Sequence, residues 1–105
     1  MKLTESQKKH LRRLSHDAKP IVTVGDNGLT DNVLAELAGA LAHHELIKVR
    51  VRADDRAARD LLLREIIERC HCELIRRVGH VATLFRRNHQ KPKIALPGTG
   101  RQAGD

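Results

Sequence analysis

Apolar residues recur along the chain with two different periods, and these periods predict its secondary structure. In three segments they return every three or four residues, as on one face of an α-helix: residues 4–15, 31–44 and 54–70. Four segments are short and rich in β-branched residues, as strands are: residues 21–24, 46–52, 73–78 and 81–86. The predicted order is therefore α-β-α-β-α-β-β.

This order predicts the fold class. Strands that alternate with helices indicate a single α/β domain in which three helices pack against a four-stranded mixed sheet. A chain of 105 residues is long enough for one such domain and too short for two. Because the C-terminal end is rich in Pro and Gly, we expect the domain to occupy residues 1–97 and a flexible tail to follow over residues 98–105.

The first helix combines a clear start signal with a basic surface. Thr4 and Gln7 have the spacing of a capping box, in which each side chain bonds the backbone N–H of the other residue. The positions expected to face the core are Leu3, Leu11, Leu14 and Ala18. The cations on the remaining surface are Lys8, Lys9, Arg12 and Arg13. Such cations form either a solvated helical face or part of a binding surface.

The turn between the first strand and the second helix has the spacing Gly-x-x-Gly at residues 25–28. Glycine permits positive φ, and Thr30 is a good N-cap for the helix that follows. A strand that turns into a helix in this way directs backbone N–H groups to one place, where they can bind a phosphate. The spacing is neither a dinucleotide fingerprint nor a P-loop. It fits a loop that clamps a nucleic-acid backbone, and it also fits a plain connector.

The segment 46–52 is the clearest strand in the chain. Ile47, Val49 and Val51 share one face, and the opposite face carries the cations Lys48, Arg50 and Arg52. Three cations on one face repel each other, which favours an exposed face that binds an anion. A solvated strand face is the alternative.

The net charge of +7 and the pI of 10.1 indicate a polyanionic partner, most often nucleic acid. Residues 1–24 carry six Lys or Arg against two acids, and residues 74–105 carry seven against one. Both ends are therefore basic, and they form one basic face if they meet. Phe85 is the only Phe, Tyr or Trp residue, so recognition by base stacking on aromatic side chains is disfavoured. Contacts to phosphates and to RNA or DNA shape are favoured instead.

Two short motifs resemble parts of a metal site and of an active site, but each lacks residues that such a site needs. Cys70-His71-Cys72 lacks the second pair of ligands that a structural zinc site needs. His43-His44-Glu45 has no nucleophile or paired carboxylate with suitable spacing. We expect no active site, metal or cofactor. No segment has transmembrane length and no secretion signal begins the chain, so we expect a cytoplasmic protein that binds no membrane.

Several stretches together carry a specific family resemblance. The chain resembles the CRM domain (chloroplast RNA splicing and ribosome maturation) in its stand-alone bacterial, YhbY-type form. The resemblance covers about residues 2–97. The matching stretches are Leu3-Thr4, Gln7-Lys8, Leu11, Lys19-Pro20-Ile21-Val22, Val24-Gly25, Gly28-Leu29-Thr30, His44-Glu45-Leu46-Ile47-Lys48-Val49, Val78-Gly79, Leu84-Phe85-Arg86 and Lys93-Ile94-Ala95-Leu96-Pro97.

This resemblance implies a four-stranded mixed sheet with three helices, similar to the C-terminal domain of a bacterial translation initiation factor. It also implies RNA binding and association with precursors of the large ribosomal subunit. We therefore expect an assembly factor that recognises the phosphate backbone of rRNA, without catalysis or a small-molecule substrate, and we expect a monomer. The alternatives are a module that docks on ribosomal proteins and a sequence-indifferent DNA-binding protein.

The resemblance also implies which residues contact RNA. The glycine loop and nearby cations correspond to Gly25, Asp26, Asn27, Gly28, Lys8, Lys9, Arg12, Lys19 and Lys48. The helix and strand patterns add Arg13, Arg50, Arg52 and Arg86.

The sequence departs from the family pattern in two places. Asp26 places an acid where a basic or small polar residue is common, which should weaken a phosphate clamp unless it points away or caps a local N–H. Cys70-His71-Cys72 replaces what is often Thr-Gly-Ala, so the turn before the third strand must form without glycine.

Overall fold

The described part of the chain folds into seven regular elements, in the order that the hydrophobic pattern predicts. A computed structural model of the protein describes residues 2–98. Its elements are α1 (Glu5–Ser15), β1 (Pro20–Val24), α2 (Asp31–His44), β2 (Leu46–Val51), α3 (Arg56–Cys70), β3 (Glu73–Val78) and β4 (Val81–Phe85). Apart from Gly98, the predicted tail lies outside the described residues. No helix within residues 2–98 is long and apolar enough to cross a bilayer.

The four strands form one mixed sheet with the order β1-β2-β4-β3. Strands β1 and β2 are parallel, and α2 makes the crossover that a parallel pair requires. Strand β4 is antiparallel to both β2 and β3. The predicted fold, one α/β domain with three helices and a four-stranded mixed sheet, is confirmed.

Each face of the sheet has its own core. Helices α2 and α3 cover the first face, where Ile47, Val49 and Val51 are buried as the alternation in β2 predicts. On the second face, Leu11 of α1 belongs to a smaller cluster of buried residues with Ile75, Phe85 and Leu96. The cations of β2 therefore lie on the second face, which α1 covers only in part.

Local capping sets where the helices begin. The Thr4 hydroxyl accepts a hydrogen bond from the Gln7 amide (3.1 Å), and the Thr4 amide donates to the Gln7 side chain (3.0 Å), so the predicted capping box is confirmed. The Asp55 carboxylate accepts from the Ala58 amide (2.8 Å), which makes Asp55 the N-cap of α3. Helix α3 therefore begins at Arg56 rather than at residue 54.

The buried side of α1 differs from the one predicted. Leu14 is 50% exposed and Ala18 is exposed, so their assignment to the core is wrong. The buried positions run at intervals of four, at Leu3, Gln7, Leu11 and Ser15. Two of them are polar, and each has a hydrogen-bond partner: the Gln7 amide group donates to the distant Pro97 carbonyl (3.1 Å), and the Ser15 hydroxyl donates to the nearby Arg12 carbonyl (3.1 Å).

Glu45 fixes the segment that follows β4. It occupies the junction of α2 and β2 with φ 64° and is fully buried. Its carboxylate accepts hydrogen bonds from three backbone amides, those of Asn88 (2.7 Å), Lys93 (2.7 Å) and Ile94 (2.8 Å). The Arg87 guanidinium lies 3.5 Å from the same carboxylate. The segment held in this way delivers Leu96 to the core beneath α1.

Candidate nucleic-acid interface

The strand register places the cations of β2 in two rows that cross the second face of the sheet. In the first row, Lys48 pairs with Thr83, which pairs with Arg76. In the second row, Arg50 pairs with Val81, which pairs with Val78. We refer to these six residues, of which Thr83 is buried between the two flanking strands, as the open face. It lies toward the end of the sheet where the β3–β4 turn is located, beyond the part of this face that is buried around Phe85 and Ile75.

A groove runs between the C-terminal half of α1 and the open face. Its volume is about 380 Å³, within the range of sites that bind small groups. Arg12 and His16 line it from α1, and Ala18 and Pro20 line it from the segment between α1 and β1. The α1 groove contains four Arg or Lys side chains, and no Asp or Glu is among its described lining residues. Such a groove is suited to a ligand with negative charge.

The α1 groove continues into the glycine loop, residues 25–28. Arg50 and Val81 line both the groove and the next recess, which also contains Asp26, Arg52 and His80. A further recess brings Gly25 and Asp26 together with Arg52. The groove and the two recesses therefore form one continuous surface from α1, across the end of the sheet, to the glycine loop.

The glycine loop is a closed turn with exposed amides at its tip. The Gly28 amide donates to the Gly25 carbonyl (2.9 Å), and the Thr30 amide donates to the Gly28 carbonyl (3.2 Å). Asp26 and Asn27 are exposed at the tip, and within residues 2–98 their amides have no hydrogen-bond acceptor. These two N–H groups are free to bind an anion.

The two glycines of the loop have different roles. Gly28 has φ +71°, in the left-handed region where a side chain is strained. Gly25 has no positive φ, and no described atom lies within 4 Å of a Cβ added there. The conformational reason for glycine therefore applies at Gly28, whereas at Gly25 the open space is available to a ligand.

Acidic residues reduce the positive charge at the loop end of this surface. Asp26 and Asp54 line the same recesses as Arg52. In the part of the chain that the structure describes, the Asp26 carboxylate makes no hydrogen bond or ion pair and caps no local N–H. The α1 groove, which no described Asp or Glu lines, is the more attractive end for a phosphate.

Some of the predicted RNA contacts line the groove and its recesses, and others lie outside them. Arg12, Lys48, Arg50 and Arg52 line the groove and its recesses. Lys19 is exposed next to Pro20, at the edge of the groove. The cations that continue along α1 outside the groove are Lys8, which lies 3.9 Å from Glu5, and the exposed Lys9 and Arg13. They extend a basic surface along the helix.

Lys48 has a partner within the protein. Its ammonium group donates to the carbonyl of His16 (3.4 Å), at the C-terminal end of α1. A cation there interacts favourably with the negative end of the helix dipole. Lys48 therefore helps to hold α1 against the sheet, and its remaining donors face the groove.

Arg86 does not belong to this surface. Its guanidinium donates to the carbonyls of Cys70 (3.0 Å) and Ala38 (3.1 Å), and so joins α3 to α2. It follows Phe85, whose partner in β2 is Leu46, at the end of the sheet opposite the glycine loop. The prediction that Arg86 contacts RNA is therefore not supported, because its side chain has a structural role.

Among the lining residues with a cationic or imidazole side chain, three are absent from the sequence-based prediction: Arg76, His16 and His80. Arg76 is the most informative because it supplies a cation from the far edge of the sheet. It enters the open face through an irregularity in the pairing of β3 with β4, between Leu74 and Arg76. Strict alternation along β3 does not reveal this placement.

The cysteine motif lies in the core. Cys70 and Cys72 are buried free thiols; burial raises the pKa of Cys70, and it raises that of Cys72 to about 12. Between them, His71 takes a left-handed φ of 53° at the end of α3, so the turn forms without glycine. Within residues 2–98, no three His, Cys, Asp or Glu side chains are arranged to hold a metal.

Comparison with known proteins gives consistent matches over most of the chain. A model of the CRS1/YhbY (CRM) domain matches residues 3–86. A Haemophilus influenzae protein named RNA-binding protein is 41% identical over 95 residues, covering 90% of this chain and 95% of that protein. A Pseudomonas aeruginosa protein named probable RNA-binding protein is 41% identical over 104 residues, covering 99% of both. The solution structure of a hypothetical protein from Staphylococcus aureus has a TM-score of 0.76 at 30% identity and covers 91% of this chain and 100% of that one. The chain therefore belongs to the CRS1/YhbY (CRM) domain family.

Proposed function

We propose that this protein binds RNA by its phosphate backbone, using the α1 groove and the glycine loop as one surface. The observation that carries the proposal is the register of the sheet, which places Lys48, Arg50 and Arg76 on one open face beside Arg12 of α1. Cations grouped in a groove whose described lining contains no acid attract a polyanion. The names of the two relatives at 41% identity support RNA as that polyanion.

The recognition proceeds through shape and charge. Lys and Arg side chains neutralise phosphates and release the counterions condensed on them, which gives binding that weakens as salt is added. The exposed amides of Asp26 and Asn27 add donors for a further phosphate. Such contacts set the orientation of an RNA without reading its base sequence.

The biological role we propose is assistance in the assembly of the large ribosomal subunit. Its support is the family resemblance together with the basic surface. A protein that binds one conformation of an rRNA segment stabilises that conformation for as long as it stays bound. Contacts from the cations and the loop amides to RNA phosphates are sufficient for this role.

The test compares two arginine variants in binding to a folded fragment of large-subunit rRNA over a salt series. Arg50 lines both the groove and the loop recess, so we expect Arg50→Gln to lower the steepness of the salt dependence by about one unit and to weaken binding. Arg64→Gln is the matched control, because Arg64 is exposed on α3 and lines neither recess. Equal salt dependence for wild type and Arg50→Gln would contradict the proposal.

Competition with duplex DNA separates RNA binding from sequence-indifferent DNA binding. At one salt concentration, we expect the folded rRNA fragment to displace the protein from duplex DNA of equal length. If duplex DNA instead displaces the protein from the rRNA fragment, DNA is favoured as the ligand. Ribosome association that survives the loss of Arg50, without measurable RNA binding, would favour docking on ribosomal proteins.

A further inference from the structure

The α1 groove has an apolar floor that phosphate binding does not require. Val78 and Val81 are a cross-strand pair on the open face, and both line the groove. Val78 is 60% exposed, on an edge strand next to the β3–β4 turn. Pro20 and Ala18 add further apolar surface on the α1 side of the groove. Exposed apolar surface enclosed by cations suggests a ligand that is apolar in one part and anionic in another.

The register shows how the apolar floor and the cations are arranged. Arg50 lies beside Val81 in one row, one strand spacing or roughly 5 Å away. Arg76 is two residues before Val78 on β3, so its side chain is on the same face and lines the same groove. The valine pair is therefore flanked by a cation on β2 and a cation on β3.

A single nucleotide has the matching chemistry, because the flat face of its base is apolar and its phosphates are anionic. In a paired stem both faces of each base are stacked on neighbours, and only an unpaired nucleotide can turn a face outward. We propose that the α1 groove is a subsite for one unpaired nucleotide of the RNA, with its base on Val78 and Val81 and its flanking phosphates at Arg50 and Arg76. This inference rests on the proposed function and specifies the class of RNA: one that presents an unpaired nucleotide beside its phosphates.

Two blunt-ended RNA duplexes, which have no loop, test the subsite with the full chain. One is fully paired, and the other, the interrupted stem, has the same sequence with one additional unpaired adenosine. Phosphate contacts alone give nearly equal affinities for the two. Because contact between the base and the valine pair removes apolar surface from water, we expect the interrupted stem to bind roughly tenfold more tightly.

A pair of matched variants locates the effect. Val78→Asn replaces the more exposed valine of the pair with a polar side chain and leaves the charge unchanged, so we expect the preference for the interrupted stem to fall to within about twofold while the salt dependence stays the same. Leu61→Asn is the control, because Leu61 is 63% exposed on α3 and does not line the groove. We expect it to retain the preference. Far-UV circular dichroism and a urea titration establish that both variants are folded.

The outcomes separate this inference from the proposed function. Equal binding of wild type to both duplexes, or a preference that survives Val78→Asn, contradicts the subsite and leaves phosphate binding intact. Binding to neither duplex contradicts both the subsite and the proposed function. Displacement of the interrupted stem by micromolar adenosine monophosphate would assign the groove to a free nucleotide and also contradict the proposal.

Discussion

The carboxylate of Glu45 accepts a hydrogen bond of 2.7 Å from the backbone amide of Lys93, 48 residues further along the chain. This bond connects the α2–β2 junction to the segment that follows β4. The same segment places Leu96 beneath α1 and brings the Pro97 carbonyl to Gln7. Since α1 forms one wall of the groove, Glu45 supports the candidate interface without being part of it.

Removal of this carboxylate should therefore destabilise the whole domain. Glu45→Ala leaves three part-buried backbone amides without their acceptor and removes the carboxylate beside the Arg87 guanidinium, and we expect the free energy of unfolding to fall by about 3 kcal/mol. Urea titration measures the change. Glu36→Ala, at an exposed position of α2, is the control, with an expected change within about 0.5 kcal/mol. Equal effects of the two substitutions would show that the Glu45 contacts contribute little.

Glu45 should also make the stability depend on pH in the acid range. Burial acts to raise its pKa, but the amides of Asn88, Lys93 and Ile94, together with Arg87, outweigh it and hold the pKa below the ordinary 4.5. Because the pKa is lower in the folded than in the unfolded protein, the ionised carboxylate stabilises the fold above the ordinary value. This contribution is lost as the pH falls through the lowered pKa.

The measurement is urea unfolding at a series of pH values between about 6 and 3. We expect wild type to lose stability as the pH falls and Glu45→Gln, which has no carboxylate to protonate, to lose less. Parallel curves for the two proteins would assign the acid sensitivity to other groups.

The two glycines of the loop should respond differently to alanine. Gly28→Ala forces a side chain into a left-handed conformation, which should cost about 1–2 kcal/mol of stability. Gly25→Ala should leave the stability nearly unchanged, since its backbone needs no glycine and its surroundings are open. Loss of RNA affinity in folded Gly25→Ala would therefore report the close approach of an RNA backbone. Full affinity in this variant would make the loop a connector.

Asp26 should oppose RNA binding in the wild-type protein. Its carboxylate is exposed at the loop tip beside Arg52, so Asp26→Asn should raise the affinity for the rRNA fragment by roughly threefold, as expected for one exposed charge. Glu68→Gln, which also replaces an exposed carboxylate by an amide but lies on α3, is the control and should have little effect on the affinity. If Asp26→Asn weakens binding, the carboxylate has a positive role, such as orienting the loop amides.

Much of the fold can be read from the sequence because its determinants are local. Alternation in β2 depends only on neighbouring residues, and the capping box of α1 involves two residues three positions apart. Leu14 was misassigned because the position of the α1 buried face depends on what the helix packs against. The buried side of α1 includes Gln7, whose side chain donates a hydrogen bond to the distant Pro97 carbonyl.

The candidate site was predicted less completely, because its assembly depends on register. Arg76 reaches the open face through an irregular pairing of β3 with β4, which no local pattern encodes. Arg86 is a cation at the end of the predicted fourth strand, but its guanidinium donates to the carbonyls of Cys70 and Ala38 instead of facing the groove. The glycine loop, in contrast, is a local motif, and its closed turn with exposed amides follows from four consecutive residues.

The most direct measurement is an NMR titration of the ¹⁵N-labelled protein with the folded rRNA fragment. We expect the largest amide shift changes at the glycine loop and around the α1 groove, including Asn27, Arg50 and Val78. The exposed side of α3, including Arg64 and Glu68, should remain unchanged. Changes that centre on α3, or no changes at an RNA concentration equal to that of the protein, would contradict RNA binding through the α1 groove and the glycine loop.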